Sequence, residues 1–360
     1  MSFKNPFENV RSSISATSLS PYIVTGGSVV PNSLISAELA LQNSDLFSVT
    51  SLISSDIAGT KFVGSSPFIE VLNRPSRMTN AFSFWQTTLL NLLLSGNAFL
   101  FINRDADGNP IDLQFVPNTA VTIDLTQDVL TYEINRFDDY EGGKFPASDI
   151  IHAKYMAYGS DSLQSIIGHS PLESLSTELE QQKQANRLSL STLKSALYPT
   201  SKITIPQGVL SKEAKDTVRD EFEKANSGDN ASRVMVLDQS ADFSMISINA
   251  DVAKFLSSVD WGRTQISKAF GVPDSYLNGT GDAQSSLEMA TQMYVNGLNR
   301  YIEPLLSELN YKLGGGVELD MMNIVDYSGA TYKQNMIDFV DKAVLTPEDA
   351  RSRLIERKLI

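Results

Sequence analysis

Read as a calcium loop beginning at Asn103, the chain places Asp105 and Asp107 at the third and fifth positions and Gly108 at the sixth. Those are positions where such a loop needs oxygen ligands and a sharp turn. The rest of the pattern fails. The first ligand is Asn, Pro110 sits at the eighth position, Gln114 stands where a bidentate Glu is required, and strand-like residues flank the run. Asp107-Gly108 is also a strong hairpin signal, because Gly supplies the positive φ, so a solvated turn is the expectation. His152 and His169 are the only histidines, Cys is absent, and no HExxH pattern occurs, which leaves too few ligands for zinc. His152 lies in a strand-like run and His169 flanks a helix cap. Ser191-Thr192-Leu193-Lys194 has the S-x-x-K spacing of acyl-transfer enzymes, but it falls mid-helix with no SDN or KTG partner. There is no Walker loop, GxGxxG or GxSxG, and Gly279-Thr280-Gly281 is too short to cradle a phosphate. The expectation is no catalytic residue, no metal and no cofactor.

The totals narrow the function classes further. The 360 residues suffice for two or three compact units, and 42% hydrophobic residues can bury a sizeable core. A net charge of −13 argues against a surface that clamps DNA, since phosphate binding needs clustered Lys and Arg. DNA passing close by without being held stays compatible with it. No apolar run reaches the length of a membrane span, and "MSFKNPFENVRSSISATSLSP" lacks an apolar signal core.

The elements that must position any site follow from periodicity. Residues 1–40, rich in Ser, Asn and Pro, read as a flexible arm. Residues 78–95 are helix-like, with Phe82, Trp85, Leu89 and Leu93 as the stripe. Phe99–Ile102 and Leu113–Val116 read as a hairpin about the Asp107-Gly108 turn, and 129–134 and 149–155 as further strands. Ser170-Pro171-Leu172-Glu173 is a capping box that opens a long helix, with Leu172, Leu175, Leu179, Leu188 and Leu193 as its stripe. Residues 198–248 read as a β-α-β-β insert whose strands are "SKITIP", "VMVL" and "FSMISI". A second helix carries Val252, Phe255, Leu256, Val259, Ile266 and Phe270 and stops at Gly271 and Pro273. A third spans about 287–313, with a kink expected at Pro304, and two short helices close the chain.

Six segments then carry a resemblance. "SGNAFLFINRDADGNPIDLQFVP", "FPASDIIHAKY", "IIGHSPLESL", "ISKAFGVPDSYLNG", "LNRYIEPLLSELNYKL" and "LTPEDARSRL" resemble, in order over residues 90–355, the corresponding stretches of the smaller portal proteins of tailed bacteriophages. The N-terminus has no match to that family.

The resemblance implies an α+β portal fold with a wing of residues 41–168 and 287–330, including a long kinked helix. It further implies a two-helix stem of 169–197 and 249–270, a clip of 198–248, a tunnel loop of 271–286 and a short helical crown of 331–360. It implies a homo-oligomeric ring, usually of twelve copies, at one capsid vertex, assembled in the host cytoplasm, with double-stranded DNA passing through its channel. The partners implied are the major capsid protein, the terminase large subunit during packaging, and a neck or adaptor protein at the clip, with no membrane. The tunnel-loop residues facing DNA would be Asp274, Ser275, Tyr276, Leu277, Asn278, Gly279, Thr280, Gly281, Asp282 and Gln284. The competing readings are another neck or tail adaptor ring and a hydrolase with an acidic site.

Overall fold

The structure is a computed structural model that describes residues 12–16, 22–25, 28–31, 41–126, 129–135, 142–159, 162, 164–197, 201–204, 211–214, 216–217, 220, 242–245, 258–275, 284–326, 329–357 and 359–360. It divides into two compact units, residues 1–179 with 261–360, and residues 180–260. It is a mixed helix-and-sheet chain, and among the described residues no helix is long and apolar enough to cross a membrane.

The first unit is built on a short antiparallel sheet with a core on each face. Its strands, in chain order, are β1 (Ser12–Ala16), β2 (Tyr22–Thr25), β3 (Ser28–Pro31), β4 (Phe62–Gly64), β5 (Asn97–Arg104), β6 (Pro110–Val116), β7 (Val121–Thr126), β8 (Val129–Ile134), β9 (Gly143–Pro146) and β10 (Ile150–Lys154). The sheet order is β10-β5-β6, and a second sheet runs β1-β7-β8-β9. Alternation along β5 sends Ala98, Leu100 and Ile102 into a helical core, and Phe99 and Phe101 into a core shared with β7 and β8. A strand buried on both faces must be apolar throughout, which is why "AFLFI" shows no polar alternation.

The helical core is supplied by α1 (Ser44–Ala58), α2 (Ile69–Asn73) and α3 (Ala81–Ser95). Asn43 caps α1 through its side-chain oxygen, which accepts from the backbone N–H of Asp45 and of Leu46. Leu46, Val49, Ile53 and Ile57 then bury one face. In α3 the buried stripe is Phe84, Trp85, Leu89, Leu92 and Leu93, with the Trp85 indole donating to the Leu72 carbonyl at 2.9 Å. Phe82, expected in that stripe, is exposed, because the inward face is set one position later along the helix.

The capping box forms as the sequence predicts. It opens α4 (Pro171–Ser174), and α5 (Ser176–Leu197) follows after Leu175 leaves helical geometry. The expected single helix is therefore interrupted once, at a residue buried in the core. Leu172, Leu175 and Leu179 are buried as expected, whereas Leu188 is exposed; the Leu193 side chain lies outside the described residues.

Two further helices, α6 (Ser258–Phe270) and α7 (Gln284–Leu313), complete the first unit's core. Leu298, Tyr301, Ile302, Leu305 and Leu309 of α7 are buried, and the Tyr294 hydroxyl donates to Asp56 at 2.6 Å. Burial pushes the Asp56 carboxyl above the usual carboxylate range, and the Tyr294 hydrogen bond partly offsets this. Pro304 lies inside α7, where it cannot supply the Arg300 carbonyl its helical donor. After Gly314–Gly316, strand β13 (Val317–Leu319) pairs with β4, and α8 (Met322–Val325), α9 (Ala330–Asp341) and α10 (Pro347–Glu356) close the chain.

Of the 180–260 unit, the described part holds most of α5, the start of α6, and an antiparallel pair of β11 (Ser201–Thr204) with β12 (Asp242–Met245). Helical residues begin at 212, and the Ser211 hydroxyl accepts from the Ala214 N–H at 3.2 Å. The expected strand at 234–237 and the apolar positions Val252, Phe255 and Leu256 lie outside the described residues.

The N-terminal segment departs from expectation. An arm without regular structure was expected over residues 1–40, yet β1 pairs with β7 from Ser12↔Leu125 to Ala16↔Val121, and β2 pairs with β3. The alternating Ser-Ile-Ser stretch is short enough to escape notice by composition. It satisfies the backbone groups of β7 that would otherwise form an open edge.

Ser170 gives a direct test of the cap. Its hydroxyl donates to the Leu93 carbonyl at 2.7 Å and accepts from the Leu172 N–H at 3.0 Å, tying α4 to the end of α3. Ser170→Ala should cost about 1–2 kcal/mol in urea unfolding, since it removes a cap and strands a buried carbonyl. A loss near zero would show that the link is not made.

Candidate functional site

The residues that could do chemistry are engaged in holding the fold. Asp105 Oδ1 accepts from the backbone N–H of Asp107 at 3.0 Å and of Asn109 at 2.8 Å, closing the turn between β5 and β6. These backbone bonds, Asn109 first, hold its carboxyl below the usual range. Gly108 adopts φ +86°, as the hairpin reading requires. Among the described residues no group of three or more His, Cys, Asp or Glu could hold a metal ion. The Ser191 hydroxyl donates to the Leu188 carbonyl of its own helix at 2.8 Å. His169 Nδ1 meets the Glu173 carboxylate at 3.0 Å, and the ring stacks on Tyr158.

His152 is fully buried, and both ring nitrogens are committed. Asn97 Oδ1 already accepts the Gly168 N–H at 2.7 Å, so it can only accept from His152 Nε2 at 3.0 Å. The imidazole is therefore the Nε2–H tautomer, and Nδ1 accepts the Tyr132 O–H at 3.0 Å. Burial holds His152 well below its usual value, and Lys154 and Lys312 push the same way. Tyr132 is raised by burial and by Glu308, so it stays a donor. This is a positioning network, with no substrate-accessible atom.

The first residues of the expected DNA-facing loop are fixed by a close helix crossing. Gly271 ends α6 at φ +71°, its N–H donates to the Lys268 carbonyl at 3.2 Å, and the Val272 N–H donates to the Ser267 carbonyl at 2.9 Å. A Cβ on Gly297 of α7 would lie 2.6 Å from the Gly271 carbonyl oxygen, and one on Gly271 would lie 2.5 Å from the Arg300 guanidinium carbon. The buried Tyr301 hydroxyl donates to the Phe270 carbonyl at 3.0 Å. Asp274 pairs with Arg263 at 3.5 Å. Of the expected loop residues, Asp274 and Ser275 are described and helical, and Gln284 opens α7. Tyr276, Leu277, Asn278, Gly279, Thr280, Gly281 and Asp282 lie outside the described residues. Gly297, Tyr301 and Asn97 went unremarked in the sequence; the first carried a signal, a glycine inside a helical pattern.

Two measurements follow from this geometry. Because folded His152 binds its proton more weakly than the unfolded side chain, acid favours unfolding, and stability should fall as pH drops below about 6.5. The His152 contribution should amount to about 1 kcal/mol between pH 6.5 and about 5.5, steepening toward about 1.4 kcal/mol per unit. Comparing urea melts with His152→Gln isolates it, and parallel pH curves would show that the imidazole is not buried neutral. Gly297→Ala should destabilise by about 1–3 kcal/mol despite alanine's better helix propensity, because the added methyl strikes backbone. A gain in stability would show that α6 and α7 do not touch there.

Comparison with known proteins brings these segments together. Residues 44–354 match the family described as "Phage portal protein". The chain is 26% identical over 271 residues to a probable portal protein of Streptomyces phage phiC31, a match spanning 68% of this chain and 57% of that protein. It is 21% identical over 251 residues to the portal protein of Enterobacteria phage HK97, spanning 68% and 56%. The match thus spans less than two thirds of the length of these curated relatives. Among solved structures, the fold resembles a chain in the virion of a native gene transfer agent particle (TM-score 0.64, 22% identity, covering 88% of this chain and 90% of that one). It also resembles an HK97-family portal protein from Corynebacterium diphtheriae (TM-score 0.59, 14% identity, covering 80% and 96%). With a family match running from α1 to α10, on a fold shared with those structures, the chain belongs to the phage portal protein family.

Proposed function

We propose that this chain assembles into a closed ring at one vertex of a phage capsid, where it serves as a conduit for double-stranded DNA during packaging and ejection. Family membership carries the reading. A similar structure described as the neck of a native gene transfer agent particle computed with C12 symmetry supports the ring and its twelve copies. The protein is structural in this reading. ATP hydrolysis falls to a separate terminase motor, in keeping with the missing Walker loop. The capsid protein surrounds the ring, and the terminase and later a neck or adaptor protein meet the 198–248 insert.

Within this reading, α5 and α6 are the stem, the insert between them is the clip, the β5–β10 region with α7 is the wing, and α9 and α10 are the crown. The acidic balance suits a conduit. Each phosphate neutralised by a cation releases counterions and adds affinity, and a channel that grips DNA slows it. The tunnel loop of 271–286 contains no Lys or Arg and meets DNA through polar and backbone groups without sequence preference.

A mass measurement and electron micrographs of the purified chain test the ring. Asp274→Lys together with Asp282→Lys tests the loop. Rings of unchanged mass should form, and packaging yield or DNA retention should change by about threefold or more as phosphate contacts appear. Unchanged packaging and retention would place the loop away from DNA.

A further inference from the structure

A cleft of about 570 Å³ opens between the end of α6, the turn after it and the first half of α7. Its apolar lining includes the buried Val272 and the exposed Met293, and Ser267 lines it at 2% exposure with a hydroxyl that has no hydrogen-bond partner among the described residues. A buried hydroxyl without a partner costs about 1–3 kcal/mol, so it marks a place where a polar atom is missing. Lys268 and Arg300 also line the cleft, both exposed, and neither forms an ion pair with a described residue. The cleft thus offers an apolar seat, a buried hydrogen-bonding group, two cations and one carboxylate, Asp274, which is engaged by Arg263 at 3.5 Å.

From this combination we infer that the cleft is a socket for a carboxylate-bearing apolar knob of a second copy of the chain. The argument for that occupant is charge. The chain carries 42 acidic and 29 basic residues, so carboxylates outnumber cations among the groups a second copy can offer to Lys268 and Arg300. The chain also presents knobs of the required composition: Phe339 is 40% exposed and lies between Asp338 and Asp341 in the sequence. A ring is built from heterologous contacts, in which a socket on one copy meets a different face of the next, and such a contact needs no self-complementary patch. This inference rests on the ring reading, and it identifies which surface joins the copies.

The test places a photo-crosslinking amino acid, p-benzoylphenylalanine, at Asn296, which is exposed and lines the cleft. Irradiating purified rings should give a ladder of covalent multimers, with adducts on segments of a second copy that contain Asp or Glu. Lys268→Glu should cut the cross-link yield at least tenfold, and adding Arg300→Glu should reduce ring assembly. Rings of the expected mass that yield only within-chain adducts, or adducts to another protein, would overturn this inference alone. So would an undiminished cross-link yield in Lys268→Glu. A chain that stays monomeric by mass overturns the ring reading, and this one with it.

Discussion

The side chain of Asn97 holds the first unit together. Its oxygen accepts from the Gly168 N–H and from His152 Nε2, while its amide donates to the Ser95 and Gly168 carbonyls. Four directional bonds on one buried amide leave no tolerance for another side chain. The backbones of Gly96 and Gly168 also touch: a Cβ on Gly168 would lie 2.0 Å from the Gly96 carbonyl oxygen. That approach puts His169 and Ser170 against the end of α3, where Ser170 both caps α4 and bonds to Leu93. Three of the segments that carry the family resemblance, "SGNAFLF", "DIIHAKY" and "GHSPLESL", therefore meet at one point. They meet through packing and buried hydrogen bonds, in which His152 acts as a strut.

The free edge of β10 is handled by charge. An exposed edge strand invites pairing with other chains, and α7 lies against this one. Glu308 accepts from the His152 backbone N–H at 3.5 Å, and Lys312 donates to the Ala147 carbonyl while pairing with Glu308 at 3.7 Å. Side chains of one helix thus stand in for a missing strand. The arrangement explains why charged groups sit so close to an otherwise apolar sheet, and why Lys154 is held low by burial, with Glu308 partly restoring it.

The Gly271–Gly297 crossing and the Tyr301–Phe270 bond fix where the chain leaves α6, so the segment that follows starts from a defined point. Tyr301 in turn stacks on Tyr155, which follows β10. The sheet, the long helix and the turn after α6 are thereby joined by direct contacts.

Local chemistry was legible in the sequence wherever a few consecutive residues decide the outcome. The Asp107-Gly108 turn, the Ser170–Glu173 capping box, the Gly271 stop and the doubly buried β5 all follow from propensity and period, and they were read correctly. Each motif candidate could also be weighed along the chain, because each lacked a ligand or partner that its chemistry requires. What the residues alone could not tell was decided by contacts between distant positions. Phe82 and Trp85 are equally apolar, and only tertiary packing, chiefly against α1, chooses the face. Ser12–Ala16 gains a partner strand far along the chain, with Ile14 facing Ile123, 109 residues away, which no local pattern announces. Asn97 and Gly297 look ordinary along the chain, since their roles exist only once Gly168 and Gly271 arrive beside them. Sequence determined the elements and their ends; tertiary structure decided which polar groups would be buried together, because that energy depends on neighbours that the linear order does not contain.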